Sequence, residues 1–490
     1  MREKFKELTK DTAVYGISTI LSRFLTFILV PFYSHVLGKA ENGIVGYIYA
    51  YIAFLNIIYL YGMDSAYLKY ASLNKDEKNR KSVFSTPYIF VTITSLVISL
   101  LIIIFRPQVN AAMDIPSGRW DISYYFTFIL FFDALAVIPF AHLRLERKAK
   151  RFALIKTINI VVNVFLNIIL IRGFRMGMMA VFISNLAASV LTLLLLVPDI
   201  MRNLEIKING TLLKKMLKFG LPYLPASLAS MVIQVIDRPI LLMMTNESTV
   251  GVYQINYKLG IFMMLFVSMF QYAWQPFFLH NAKEKNAKEI FSKVLTYFVL
   301  AGSVVLVLLS LFIGDLIRIK IMGFTLIGAA YWSGANIIPI VLLGYLFNGI
   351  YVNFTAGIFI EEKTKYLPYI TGLGALVNVG VNYWLIPQFG ITGAASATLA
   401  SYVIMAIALF IVVQKFYKID YEYGKLFRIL LSVLIPALVF YAVANNSILF
   451  KFGILLLFII LLFLLKVVNN DDLKAIRRTF LPHRTPAAGA

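Results

Sequence analysis

Apolar residues along this chain run on for whole helix lengths instead of alternating or recurring on one face. Stretches such as 91–105, 181–197, 294–313 and 448–465 carry almost no charge. Each approaches or exceeds the roughly 20 apolar residues that cross a hydrocarbon core. Short polar segments rich in charge separate them. The pattern predicts an all-α integral membrane protein of about 14 spans, at 12–35, 41–68, 83–105, 121–143, 153–171, 177–198, 217–244, 249–279, 291–313, 333–360, 366–386, 391–413, 426–444 and 448–467. The segments between spans are too short for a separate soluble domain.

Composition agrees with the pattern. Of 490 residues, 60% are hydrophobic and 14% charged, where a soluble domain carries about 25% charged residues. The absence of cysteine excludes a disulfide framework, a thiolate nucleophile and a Cys-based metal site. The sequence holds neither a Walker A motif nor a Gly-rich dinucleotide turn, and His35, His142, His280 and His483 are scattered. No catalytic residue, cofactor or metal site is predicted. Energy for transport would come from a Na+ or H+ gradient, the membrane potential or the substrate's own gradient, not from ATP bound to this chain.

A net charge of +22 would suit a nucleic-acid partner, but its placement argues otherwise. With the N-terminus set as cytoplasmic, the clusters KDEKNRK (75–81), RLERKAKR (144–151) and KEKNAK (283–288) fall on one side, as do Lys214, Lys215, Lys218, Lys363, Lys365, Arg477 and Arg478. Loop lysines and arginines on that side outnumber those opposite roughly four to one. Such alternation is the positive-inside signature, and it predicts a multi-pass protein of the bacterial inner membrane with both termini cytoplasmic. Anionic membrane lipid, not nucleic acid, is the expected partner of the basic loops.

The chain also repeats itself. NKDEKNRKSVFS (74–85) and NAKEKNAKEIFS (281–292) share seven identical positions. Lys148, Lys150, Asn163, Asn167 and Phe174 match Lys363, Lys365, Asn378, Asn382 and Phe389 in order, and Pro31 matches Pro239 at nearly the same interval. The repeat unit is six spans, an even number, so both copies keep one orientation. The predicted organisation is a first lobe at 1–200, a second at 201–414, and two further spans with a tail at 415–490. A substrate site is expected where the lobes meet, near the midplane.

Charged residues inside apolar spans are costly and are the first functional candidates. Arg23 lies near the centre of span 1, Arg238 in span 7 and Lys258 in span 8; together they suit an anionic ligand. Asp133, central in span 4, is a candidate counter-charge or coupling-ion ligand. Asp237 adjoins Arg238, but adjacent helical side chains diverge by about 100°, so the two need not neutralise each other, and a cation on another span is an alternative partner for Asp237. Lys156, a turn or so from its loop, is expected to snorkel to the interface. Trp274 is a candidate for stacking on a sugar ring. The Asn163/Asn167 and Asn378/Asn382 pairs are expected to hydrogen-bond between helices. Pro222, Pro225 and Pro239 predict a broken span 7, and Pro31 a bent span 1, so that these prolines and Asp64 are gating candidates.

GLPYLPASLASMVIQVIDRPIL with VGVYQINYKLG (spans 7 and 8), FQYAWQPFFL (270–279) and LIPQFGITGAASATLASY (385–402) resemble the polysaccharide/oligosaccharide flippase family of Wzx type. That family lies within the multidrug/oligosaccharidyl-lipid/polysaccharide exporter superfamily. The resemblance implies a V-shaped bundle of 12 core helices plus two. It implies movement of an undecaprenyl-diphosphate-linked oligosaccharide from the cytoplasmic to the outer leaflet, with the diphosphate in a cationic cavity. On this sequence the cationic roles fall on Arg23, Arg238 and Lys258. Glycosyltransferases and a polymerase of the same pathway are the implied partners. Two other readings stay open: a MATE-like cation-coupled exporter of small organic molecules, kept alive by Asp64, Asp133 and Asp237, and a membrane glycosyltransferase or ligase.

Overall fold

The computed structural model describes residues 27–73, 77–321, 323–443 and 445–468, with the backbone alone at 77–79 and 321. Apart from one small hairpin it is helical. In chain order come α1 (Phe27–Val36), then α2 (Lys39–Leu60), α3 (Met63–Leu73), α4 (Glu77–Ile104), the short α5 (Arg106–Ala112), α6 (Ile122–Leu145), α7 (Ala149–Ile168) and α8 (Met179–Asn203). The chain continues through α9 (Gly210–Gly220), α10 (Tyr223–Val235), α11 (Asp237–Met244), α12 (Glu247–Lys258), α13 (Ile261–Asn281) and α14 (Ala287–Leu316). An antiparallel hairpin, β1 (Lys320–Ile321) and β2 (Phe324–Thr325), and a 3-10 segment (Ala329–Ile337) then lead into α15 (Ile338–Ile360). The last helices are α16 (Tyr366–Phe389), α17 (Ile391–Phe416), α18 (Tyr423–Val443) and α19 (Ile448–Leu464).

Among the described residues, 11 helices are long and apolar enough to cross a membrane, or 12 if the bent pair α9 and α10 is one span. This is a multi-pass membrane protein, but the expected 14 spans are not reached. The other two expected spans correspond to α1 and α19, which are apolar but shorter. The predicted span 1 begins at residue 12, and its part before Phe27 lies outside the described residues.

Span 7 is broken as its prolines require. The axes of α9 and α10 meet at 41°, with Pro222 capping α10 and Pro225 in its first turn. A second break follows at Ile236, and Pro239 occupies the first turn of α11. Proline has no N–H to donate, and the first turn is where a helix does not need that donor. Pro31 is accommodated inside α1, where its carbonyl accepts from Ser34 Oγ at 2.7 Å.

The two asparagine pairs share one pattern of mutual bonds, and the first pair also bonds to a second helix. Asn167 Nδ2 donates to Asn163 O (2.9 Å) and Oδ1 (3.0 Å), and Asn382 Nδ2 donates to Asn378 O and Oδ1, both at 2.8 Å. These bonds stay inside one helix because residues four apart face each other on it. The bond between helices comes from Tyr33 on α1, whose hydroxyl donates to Asn167 Oδ1 at 2.7 Å.

Helices α1–α8 and α9–α17 meet at both ends of the bundle. At the end holding the basic loops, Gly62 in the α2–α3 break abuts Gly220 at the end of α9. A Cβ on Gly62 would lie 2.7 Å from the Gly220 carbonyl oxygen, and Gly62 also has φ +74°. At the opposite end α2 packs along α12. There Tyr331 donates to Leu37 O at 3.0 Å, and Asn42 Nδ2 donates to the Tyr331 hydroxyl at 2.6 Å. α18 and α19 pack on α14 through Ile429, Ile454, Phe458 and Leu462. Buried Lys451 of α19 pairs with Asp315 of α14 at 2.6 Å.

Candidate functional site: a cationic cleft between the two helix sets

Between these contacts lies a cavity of about 560 Å³, walled by α1, α7, α11, α12, α13 and α15. It holds Lys156, Arg238 and Lys258 together with Tyr257 and Tyr345. A second cavity of about 360 Å³ adjoins it, walled by α1, α2, α7, α8 and α12. Asn159, Ile160, Gln254 and Lys258 belong to both, so the two form one continuous cleft.

The three cations differ in how far they are neutralised. Arg238 is buried, and its NH1 donates to Asp237 Oδ1 at 2.6 Å and to Gln234 O at 2.5 Å. Its Nε donates to Gln254 Oε1 at 3.0 Å. Tyr253 donates its hydroxyl to the other oxygen of Asp237. The guanidinium also lies 4.4 Å from the Tyr257 ring centroid. Of the two pairings open to Asp237, the structure shows the one with its neighbour Arg238. A break at Ile236 places both in the first turn of α11, and the flexible guanidinium folds back onto its neighbour. The pair is neutral overall, and Arg238 is a fixed array of donors at the cleft wall.

Lys156 does not snorkel to the interface. It lines the cleft, with Nζ 4.3 Å from the Phe140 ring centroid and within electrostatic reach of Asp133. Asp133, half-buried on α6, is hydrogen-bonded by Ser189. Lys258 is different again. Half-buried at the end of α12, it has neither an ion pair nor a hydrogen-bond partner among the described residues, and it borders both cavities. An unpaired ammonium in a low-dielectric cleft attracts an anion strongly.

The other candidates lie elsewhere. Arg23 falls outside the described residues. Trp274 is buried within the second helix set, stacked on Phe270 and Phe277, with Nε1 donating to Asn353 O at 3.1 Å; it does not border the cleft. Asp64 sits in the first turn of α3, beside the Gly62 break. Sequence reasoning passed over Asn159, although Lys156, Asn159 and Asn163 recur at i, i+3 and i+7. That spacing puts a polar stripe on one face of an otherwise apolar α7.

This many-helix bundle has a fold like that of solved membrane transporters. The solved structures agree: the inward closed lipid II flippase MurJ superposes with a TM-score of 0.71 at 17% identity, covering 94% of this chain and 100% of that one. An inward-facing MATE multidrug transporter of the MOP superfamily gives 0.63 at 15% identity, covering 82% and 97%. The family model for polysaccharide biosynthesis proteins matches residues 8–282, more than half of the chain, and the chain belongs to that family. Among curated relatives, an uncharacterized membrane protein of Methanocaldococcus jannaschii is 24% identical, covering 95% of this chain and 98% of its own. Protein 1 of the Lsg locus of Haemophilus influenzae is 21% identical, covering 79% and 95%.

Proposed function

We propose that the protein is a flippase that carries a polyprenyl-diphosphate-linked oligosaccharide from the leaflet facing its basic loops to the opposite leaflet. The single observation that carries this reading is Lys258, unpaired among the described residues, in a cleft that also holds Lys156 and the donor array of Arg238. A diphosphate offers oxygens that accept charge-assisted hydrogen bonds from all three, while a polyprenyl tail stays in lipid. Arg23 is proposed to add to the same cluster. Family membership and the fold likeness to a lipid II flippase support the assignment.

In this reading the chain is a V-shaped bundle of 14 helices. Two parallel six-span lobes, 1–200 and 201–414, rock about the cleft, and 415–490 is peripheral. Both termini face the cytoplasm, and the setting is a bacterial inner membrane. The breaks at Pro222, Pro225 and Pro239, Pro31 within α1, and Asp64 beside Gly62 supply hinge positions. An empty cationic cleft would be driven back inward by the membrane potential at roughly 2.3 kcal/mol per charge per 100 mV. The MATE-like alternative needs acids free to bind a cation, whereas Asp237 is held by Arg238 and Tyr253. Sugar transfer as the activity draws no support from a transporter fold.

The test is reconstitution in proteoliposomes with a fluorescent undecaprenyl-diphosphate-linked disaccharide. The protein should accelerate its movement between leaflets, and Lys258→Glu should abolish that acceleration. Equal rates for wild type, Lys258→Glu and protein-free vesicles would overturn the proposal.

A further inference from the structure

The smaller chamber of the cleft differs chemically from the larger one. Besides Lys258, which it shares, its polar lining is uncharged: Asn159, Asn163, Asn185, Gln254, Tyr33 and Tyr49. We propose that this chamber is a sugar-binding subsite that takes the first residues of the glycan, next to the anion held in the larger chamber. The inference rests on the flippase reading and refines its substrate contact.

The hydrogen bonds support a built site. Among the described residues, each amide is oriented by the protein at one end and open at the other. Asn159 Nδ2 donates to Ala188 O at 3.0 Å and Thr192 Oγ1 at 2.8 Å, which leaves its Oδ1 as an acceptor. Asn163 Oδ1 accepts from Asn167, leaving its Nδ2 as a donor. Asn185 Nδ2 donates to the Tyr49 hydroxyl at 2.8 Å, leaving Oδ1. Gln254 Oε1 accepts from Arg238 Nε, leaving Nε2. Two donors and two acceptors, all neutral, match sugar hydroxyls, each of which both donates and accepts. The volume lies within the range of about 300–1,000 Å³ common to small-ligand sites.

The internal repeat provides a control. Asn378 and Asn382 copy the mutual bonds of Asn163 and Asn167, yet Asn378, unlike Asn163, is fully buried, and among the described residues Asn378 Nδ2 and Asn382 Oδ1 have no partner. By the same alignment Lys156 and Asn159 correspond to Thr371 and Gly374, and Gly374 is packed against Met405. The asparagine pair therefore belongs to the helix architecture, whereas its opening into a polar chamber is peculiar to α7. Gln254 and Lys258 border both chambers, so one ligand with adjoining anionic and polyhydroxyl parts can occupy them together.

The experiment measures binding to the purified full chain in nanodiscs. The probes are undecaprenol, undecaprenyl diphosphate, and undecaprenyl diphosphate carrying N-acetylglucosamine or galactose. Wild type should bind at least one glycosylated lipid about tenfold more tightly than the bare diphosphate, the worth of one or two good hydrogen bonds. Asn163→Leu with Asn185→Leu should abolish that preference and leave affinity for the bare diphosphate unchanged. Tyr49→Phe removes the group that orients Asn185 while keeping its ring stacked on Phe182, and should weaken the preference severalfold. If the double variant does not fold, Tyr49→Phe decides. An unchanged preference in a folded variant, or no preference in wild type, overturns the subsite while the diphosphate reading stands. Bare diphosphate binding no better than undecaprenol defeats the diphosphate reading itself.

Discussion

Gly43 and Gly251 meet backbone to backbone where α2 crosses α12. A Cβ on Gly43 would lie 1.8 Å from the Glu247 carbonyl oxygen, and one on Gly251 1.9 Å from that of Lys39. The same interval of sequence separates Gly43 from Gly251, Lys39 from Glu247 and Pro31 from Pro239. The contact is thus its own image under the internal repeat. Only glycine permits so close an approach, a device common where membrane helices pack.

Gly43→Val or Gly251→Val should therefore part α2 from α12 and open the cleft at the end away from the basic loops. Overpacking of this kind costs about 1–3 kcal/mol. The chain has no cysteine, so a single cysteine placed at Met264 on the cleft wall reports access cleanly. Its labelling by an impermeant thiol reagent from that side should rise several-fold in either glycine variant. An unchanged rate would mean that this crossing does not control access.

Asp237 and Arg238 form a buried pair, and breaking one partner strands the other. Asp237→Ala should destabilise the folded protein by about 3–5 kcal/mol. The double change Asp237→Leu with Arg238→Met should cost less, because no uncompensated charge is left behind. Denaturation of the purified protein in detergent measures the difference.

Lys258 makes the opposite prediction. With no partner among the described residues, its removal relieves desolvation, so Lys258→Ala should leave the melting temperature unchanged or raise it. Anionic headgroup affinity should fall about tenfold to a hundredfold, the worth of a hydrogen bond to a charged group. Lys258→Arg should keep most of the affinity. Parallel melting and binding curves separate the two effects.

Glu146, just beyond α6, predicts a pH dependence. Burial pushes its carboxyl up, but a hydrogen bond from Lys148 and the charges of His142, Lys148 and Arg80 outweigh burial and hold it below the ordinary value of 4.5. Its stabilising contribution is then complete above the ordinary carboxyl pKa and is lost as pH falls through the lowered folded value. Glu146→Gln should melt below wild type at pH 7, and the gap should close on acidification. A gap independent of pH would show that the charge of Glu146 contributes nothing.

The sequence by itself determined what depends on local hydropathy and local backbone chemistry. Apolar runs long enough for a bilayer gave the helices, and the lopsided loop charge gave an expected orientation. Pro222, Pro225 and Pro239 announced the breaks in span 7, since a missing donor is a property of the residue. The stripe of Lys156, Asn159 and Asn163 stands in the spacing but was passed over, because Lys156 was expected at the interface. Tertiary structure alone decided what depends on how helices rotate and approach one another. Which partner Asp237 takes was decided only by how Arg238 and Tyr253 pack around it. Lys156 needed the rotation of α7 to be placed in the cleft, and Trp274 the packing of the second helix set to be excluded from it. The identical bonding of Asn163 and Asn378 hides opposite surroundings, because a neighbouring helix covers one and a cavity borders the other. Bilayer insertion responds to about 20 consecutive residues, whereas a site joins residues hundreds of positions apart, through angles that no single segment encodes.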